Sequence, residues 1–298
     1  MTIILLAIPD ISVLVGYDAD FQSLVTFWMT LMIIVVALCF IVSEITRNYS
    51  QVDKLWSLLP PAYAWITVAS FPTARTVIMA VLVTLWGLRL SYNFHRKGGY
   101  NIVPWRGEED YRWKILRDSS ALKGRLRFGL FNLLFISLYQ NIIILLFTTP
   151  ILLAALHSAS PLAVTDIVAA VLMLTFLITE TVADNQQFRF QTVKRSLSSD
   201  AEGFSESLRK GFLTEGLWKY VRHPNFASEQ AIWISFYLFG VAASGNWINF
   251  TLLGPVLLVI LFIGSSIMTE KISSSKYPEY STYQKEVPKF IPRIFRSK

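Results

Sequence analysis

Six stretches of this chain are too apolar for a water-soluble fold. Residues 24–43, 76–92, 128–156, 163–181, 226–244 and 251–269 each come near or exceed the about 20 residues with which a helix crosses a bilayer. A seventh stretch, 55–71, is interrupted by Pro60-Pro61. In hydrocarbon every backbone N–H and C=O must be paired within the chain, so such segments are helices. The proline pair makes either a simple kink or a non-regular stretch of the kind that opens a binding cavity. Composition agrees. Of 298 residues, 53% are hydrophobic and 16% charged, against about a quarter charged in a soluble domain. That excludes a disordered chain, a collagen-like fibre and a disulfide-built mini-protein.

The loops orient the spans. Residues 95–127 carry nine Lys/Arg against four acids, 184–223 seven against five, and 270–298 seven against three. The alternate loops, 158–162 and 245–250, carry no Lys/Arg. Basic loops stay cytoplasmic. The expectation is therefore an all-α, polytopic integral membrane helical bundle of about seven transmembrane helices, with the amino terminus outside and the carboxyl terminus cytoplasmic. Residues 1–20, divided by Pro9-Asp10, read as an interfacial segment rather than a signal peptide, since no basic leader and no small-residue cleavage site is present. Residues 21–298 read as one transmembrane domain. The net charge of +7 belongs to these loops, and no nucleic-acid motif accompanies it. Cys39 reads as a small buried hydrophobe. His95, His157 and His223 lack any metal-ligand spacing, so no metal site is expected.

Four polar groups interrupt this pattern at the cytoplasmic span ends. The first runs from Gly98 through Glu108-Glu109-Asp110-Tyr111-Arg112-Trp113, either a salt-bridged solvated face or a cap over a charged ligand. The second is Glu180, Asp184 and Gln187, one face of a helix. Acids at a helix carboxyl end oppose the dipole, so they ask for a partner: Arg189, a basic loop, or the donor group of a ligand such as a ribose or an amide. The third is Gly216-Leu217-Trp218-Lys219-Tyr220-Val221-Arg222-His223-Pro224-Asn225. Pro224 presets a helix start, whose N–H groups beside Arg222 and His223 make an anion site. Glu229 lies one turn further in, where an acid is costly and commonly functional. The fourth is the tail, with Glu270, Tyr277-Pro278 and Val287-Pro288, composed like an interfacial anchor.

In this order, over about residues 51–292, the four groups resemble the uncharacterised membrane proteins related to the carboxyl-terminal domain of steroid 5-alpha-reductases. The motifs carrying the resemblance are Glu109-Asp110-Tyr111-Arg112-Trp113, Ala183-Asp184-Asn185-Gln186-Gln187, Gly216-Leu217-Trp218 with Arg222-His223-Pro224-Asn225-Phe226 and Glu229, and the Tyr277-Pro278 tail. The resemblance implies a seven-helix membrane fold that binds NADPH and delivers hydride to an activated carbon–carbon double bond of a sterol or other lipid. It implies cofactor binding by Arg96, Asp184, Gln187, Tyr220, Arg222, His223, Asn225 and Glu229, and carbonyl polarisation by Asp53 and Tyr92. Gln51-Val52-Asp53 stands where steroid reductases carry Gln-Glu, and Ser281 where they place an arginine. Arg-His-Pro with a downstream Glu also occurs in S-adenosylmethionine-dependent lipid and prenylcysteine methyltransferases, the second reading. A non-catalytic scaffold or lipid-binding protein on the same fold is the third. The expected location is the endoplasmic reticulum membrane in a eukaryote or the inner membrane in a bacterium.

Overall fold

The structure is a computed structural model, describing residues 19–103, 105–196 and 204–293. The interfacial segment expected over 1–20 lies outside the described residues up to residue 18; Ala19 and Asp20 open the first helix. All regular structure among the described residues is helical. Residues gather into two compact units. Of the described residues, the first combines those up to Ala169 with Phe236–Val256, and the second combines those of Ala170–Ser235 with those from Leu257 onward. Five helices are long and apolar enough to cross a membrane: Ala19–Thr46 (α1), Ala74–His95 (α4), Arg125–Thr148 (α6), Val164–Ser196 (α8) and Phe250–Lys276 (α11, with a 3₁₀ first turn). The protein is an integral membrane protein.

The pattern on α1 shows what drives the packing. Phe21, Leu24, Trp28, Met32, Val35, Cys39 and Ser43 are buried, at steps of three and four residues. The intervening Phe27, Ile33, Ile34, Leu38, Ile41 and Ile45 are exposed. A helix that is apolar all round suits a bilayer, and the helical period aligns the buried residues on one seam. Cys39 is buried on that seam, as expected.

The other two expected spans differ from simple crossings. Stretch 55–71 divides into a short helix, Gln51–Leu55 (α2), a turn, and Leu59–Ser70 (α3). Pro60 and Pro61 fall in the first turn of α3, where a missing N–H costs nothing. The pair therefore starts a helix rather than kinking one. The 12 residues of α3 rise about 18 Å, well short of a bilayer's hydrocarbon. Pro61 has no N–H to give the Ser57 carbonyl, and Gly87 of α4 closes on that spot: a Cβ at Gly87 would lie 2.5 Å from the Ser57 oxygen and 2.8 Å from Pro61 Cγ. Close approach through a small residue is how membrane helices gain packing energy. The other helix, Pro224–Ser244 (α10), is long enough at 21 residues. Its first half carries Asn225, Ser228, Glu229 and Gln230, which lowers its hydropathy.

Stretch 128–156 is also articulated. A π-helical segment, Asn132–Tyr139, lies inside α6, and Pro150 begins a separate helix, Pro150–Leu156 (α7). At the start of α4, Thr73 and Thr76 form a reciprocal capping box. Beside it Arg75, 3% exposed, donates from Nε and Nη2 to Asp166 of α8 at 2.8 and 2.9 Å, and also to the carbonyls of Ser160 and Pro161. Asp166 in turn accepts the Ala163 N–H at 2.7 Å.

Gly87→Ala should lower stability by about 1–3 kcal/mol, because the new methyl meets backbone rather than a movable side chain; thermal unfolding in detergent measures it. Arg75→Met should cost about 3–5 kcal/mol by leaving Asp166 buried without its counter-charge, and the double variant Arg75→Met/Asp166→Leu should recover much of that loss.

Candidate functional site

The second unit gathers most of the expected cofactor residues. On α8, Glu180, Asp184 and Gln187 share one face as their spacing requires, with Glu180 and Asp184 both buried. Pro224 opens α10 and places Asn225 in its first turn, where the Asn225 amide donates to Asp184 Oδ1 at 3.2 Å. One turn further on, Glu229 is buried and accepts from Trp233 Nε1 at 3.0 Å. Asn225 Oδ1 and Gln187 Oε1 are buried atoms that accept no hydrogen bond. Such atoms are costly unless water or a ligand supplies the donor. The Gly216-Leu217-Trp218 turn docks on the same stretch of α8. Leu217 N–H donates to Gln186 Oε1 at 3.0 Å, and Trp218 Nε1 to the Ala183 carbonyl at 3.3 Å. Gly216 has a φ of +62° and sits where a Cβ would come within 2.4 Å of Gln186 Nε2; only glycine meets both demands. Tyr220 is 62% exposed.

Arg222 and His223 are engaged differently from the anion site expected of them. The anion beside them is Glu270 of α11. Arg222 Nε donates to Glu270 Oε1 at 2.8 Å, and His223 Nε2 is 2.9 Å from the same oxygen. Glu270 Oε2 takes Gln284 at 3.1 Å and lies 3.5 Å from Lys289 Nζ. The backbone N–H groups of Arg222 and His223, the donors preceding α10, go to the carbonyls of Pro288 and Lys289 at 2.9 and 3.1 Å. Arg222 Nη1 reaches the carbonyls of Gln284 and Val287. Arg222 and His223 thus clamp the tail. The short tail helix Tyr280–Glu286 (α12) seats Tyr280 and Tyr283 on Phe212, and burial pushes the Tyr280 phenol up to about 12. Nothing in the spacing around Arg222 points to Glu270 some fifty residues on. Its one signal is an acid ending a long apolar run.

In the first unit Asp53 accepts from Trp113 Nε1 at 2.9 Å and from Ser50. Ser50 Oγ also takes the Asp110 N–H at 2.9 Å, and Asp110 grips Arg112 through two 2.8 Å bonds. The acidic-Arg-aromatic segment is therefore an internal network around Asp53. Burial raises the Asp53 carboxyl above the ordinary carboxylate range, and the neighbouring Asp110 charge adds to it, against Arg112 and the two donors. Asp110 goes the other way. Burial would raise it, but the charge and hydrogen bonds of Arg112 outweigh that and hold it low.

Lys54, beside Asp53 in sequence, is a buried residue the motifs did not single out. Its ammonium donates to the Arg106 carbonyl at 2.7 Å and to Gln51 Oε1 at 3.2 Å, and burial lowers its pKa. With Gln51 donating to the Trp105 carbonyl at 3.1 Å, it fastens the glycine-rich loop onto α2. Tyr92 is 64% exposed on α4, and the Arg96 guanidinium lies 5.4 Å from its ring. Arg96 also donates to Asn93 Oδ1 at 3.0 and 2.7 Å.

Glu270→Gln should loosen the tail, because the buried Arg222 guanidinium loses its counter-charge; about 3–5 kcal/mol is expected. Trypsin should then cut sooner at Lys285 and Lys289 than in the unaltered protein.

Residues 39–287 match DUF1295, described as a protein of unknown function. An uncharacterized protein of Schizosaccharomyces pombe (strain 972) is 38% identical over 265 residues, covering 85% of this chain and 75% of the relative. No solved structure matches the chain. By a match that spans most of its length, the chain belongs to the DUF1295 family of proteins of unknown function.

Proposed function

We propose that this protein is a membrane-embedded, NADPH-dependent reductase of an activated carbon–carbon double bond in a sterol or other lipid. The observation that carries the reading is the acceptor-rich surface of α8 and α10: Asp184, Gln187, Asn225 and Glu229, with two buried acceptor oxygens that no protein donor fills. A compact ligand rich in O–H and N–H donors fits that need, and the ribose and carboxamide of a nicotinamide dinucleotide are such donors. The motif resemblance points to the same class. In this reading Asp184, Gln187, Asn225 and Glu229 hold the cofactor, with Tyr220 and Arg96 as further contacts. Arg222 and His223 serve it indirectly, by fixing the tail and the start of α10.

Bound, the reduced nicotinamide supplies a hydride to the lipid double bond. The carbonyl oxygen conjugated to that bond then gains negative charge, and a proton donor beside it lowers the barrier. Asp53 is assigned that task. A carboxyl raised by burial keeps its proton to higher pH than a free one, while Trp113 and Ser50 fix its orientation. Tyr92 is the second donor assigned by resemblance. The basic loops are taken as cytoplasmic, with α10 and, through local thinning of the bilayer around it, the short α3 completing seven crossings, the amino terminus outside and the carboxyl terminus inside. The compartment is then the endoplasmic reticulum membrane in a eukaryote or the inner membrane in a bacterium.

The test is a thermal-shift comparison of NADPH, NADH and S-adenosylmethionine on the detergent-purified protein. A ligand at a hundred times its Kd adds about 2.7 kcal/mol of apparent stability. NADPH should raise Tm, and Glu229→Gln should abolish most of that rise while leaving the unliganded Tm in place. Asp53→Asn should keep the NADPH shift but slow turnover of an enone lipid by about a hundredfold or more. For the unaltered enzyme the rate should fall as pH rises through the elevated Asp53 value, where the donor proton is lost. A shift with S-adenosylmethionine alone would establish the methyltransferase reading in its place. A folded protein that shifts with none of the three would leave the scaffold reading standing.

A further inference from the structure

Away from these residues, α1 and α6 of the first unit border an open groove of about 470 Å³, lined by Phe40, Glu44, Arg125, Gly129, Leu130 and Leu133 among others. Its walls are apolar apart from one carboxylate and one guanidinium. Glu44 lies in the last turn of α1 and Arg125 is the first residue of α6, so both charges sit at helix ends, at headgroup depth, while the leucines run inward. Glu44 is a fixed group. Its Oε1 accepts at 3.0 Å from Asn132, a fully buried amide in the π-helical segment, and its Oε2 lies 3.5 Å from Arg47. Gly129 keeps the carboxylate open to the groove. A Cβ there would stand 3.7 Å from Glu44 Oε1, and any longer side chain would grow across it. Arg47, half-exposed just past the end of the same helix, thus takes the Oε2 side of the carboxylate, while the Oε1 side, held by Asn132, borders the groove at Gly129.

We propose that this groove holds one ethanolamine phospholipid of the surrounding bilayer. Its ammonium donates to Glu44, its phosphodiester meets Arg125, and an acyl chain lies along Phe40, Leu130 and Leu133. The charge order selects the headgroup. A choline headgroup carries the same charge but no N–H to donate. A glycerol headgroup offers Glu44 only neutral hydroxyls and no counter-charge. This site is separate from the residues assigned to the cofactor and does not depend on the reductase reading.

The full-length protein, extracted in mild detergent, is equilibrated with equimolar dioleoyl phosphatidylethanolamine, phosphatidylcholine and phosphatidylglycerol, and the retained lipid is measured by native mass spectrometry. Retention of the ethanolamine lipid over the choline lipid by about fivefold is expected, the scale of one partly exposed ionic contact. Glu44→Gln, which keeps the shape and the Asn132 bond, should bring that ratio to about one. Gly129→Leu should cut retention of every lipid at this site. Should Gly129→Leu fail to assemble, Arg125→Gln takes its place and should likewise cut retention of every lipid, since all three share the phosphodiester. Equal retention of the three lipids by the unaltered protein, or a preference that survives Glu44→Gln, overturns the proposal.

Discussion

In hydrocarbon no water relieves an unpaired peptide group, and the architecture of this protein follows from that. Every described span is a helix because a helix pairs its own backbone. Each departure from regular helix is covered locally. Pro60 and Pro61 stand where α3 begins, so their missing N–H groups interrupt no ladder. The Lys54 carbonyl in the turn before them takes the Tyr100 hydroxyl at 2.7 Å. The π-helical segment of α6 carries Asn132 and Ser137 fully buried, with Asn132 bonded to Glu44. The Ser137 carbonyl in that segment takes the Asn141 side-chain amide at 2.7 Å.

The same low dielectric governs the charges. Among the carboxylates gripped by arginines are Asp166 by Arg75, Asp110 by Arg112, and Glu270 by Arg222. Removing one partner of such a pair leaves the other uncompensated, which costs more than the pair itself contributes. These pairs therefore act as register marks. Arg75 joins the start of α4 to the start of α8, Arg112 braces the network around Asp53, and Arg222 ties the tail to α10 and α11. Against that background the α8–α10 surface differs. Asn225 is bonded to Asp184 and Glu229 to Trp233, yet the Asn225 and Gln187 oxygens keep unused acceptor capacity. That unused acceptor capacity, gathered with Asp184 and Glu229, makes the surface a candidate ligand site.

The carboxylates also divide by environment in a way that suits chemistry. Asp110, closed on Arg112, stays ionised, while Asp53, half-buried with two neutral donors and a like charge nearby, is pushed toward its neutral form. Neighbouring acids whose environments drive them apart are how a site assigns a proton donor.

The amino-acid sequence by itself determined the class. The spacing of Glu180, Asp184 and Gln187 places them on one face. That property is local, since helix geometry converts sequence separation directly into direction. On α1, apolar all round, packing chose which face is buried, from Phe21 to Ser43. Tertiary structure also decided what each charge meets. Arg222 and His223 carry every mark of an anion site, and the anion proved to be Glu270, 48 and 47 residues away. Asp53 finds Trp113 across 60 positions, and Arg75 finds Asp166 across 91. No periodicity encodes such pairs. They arise when helices pack and water is excluded, and a buried charge must take the partner that packing brings to it.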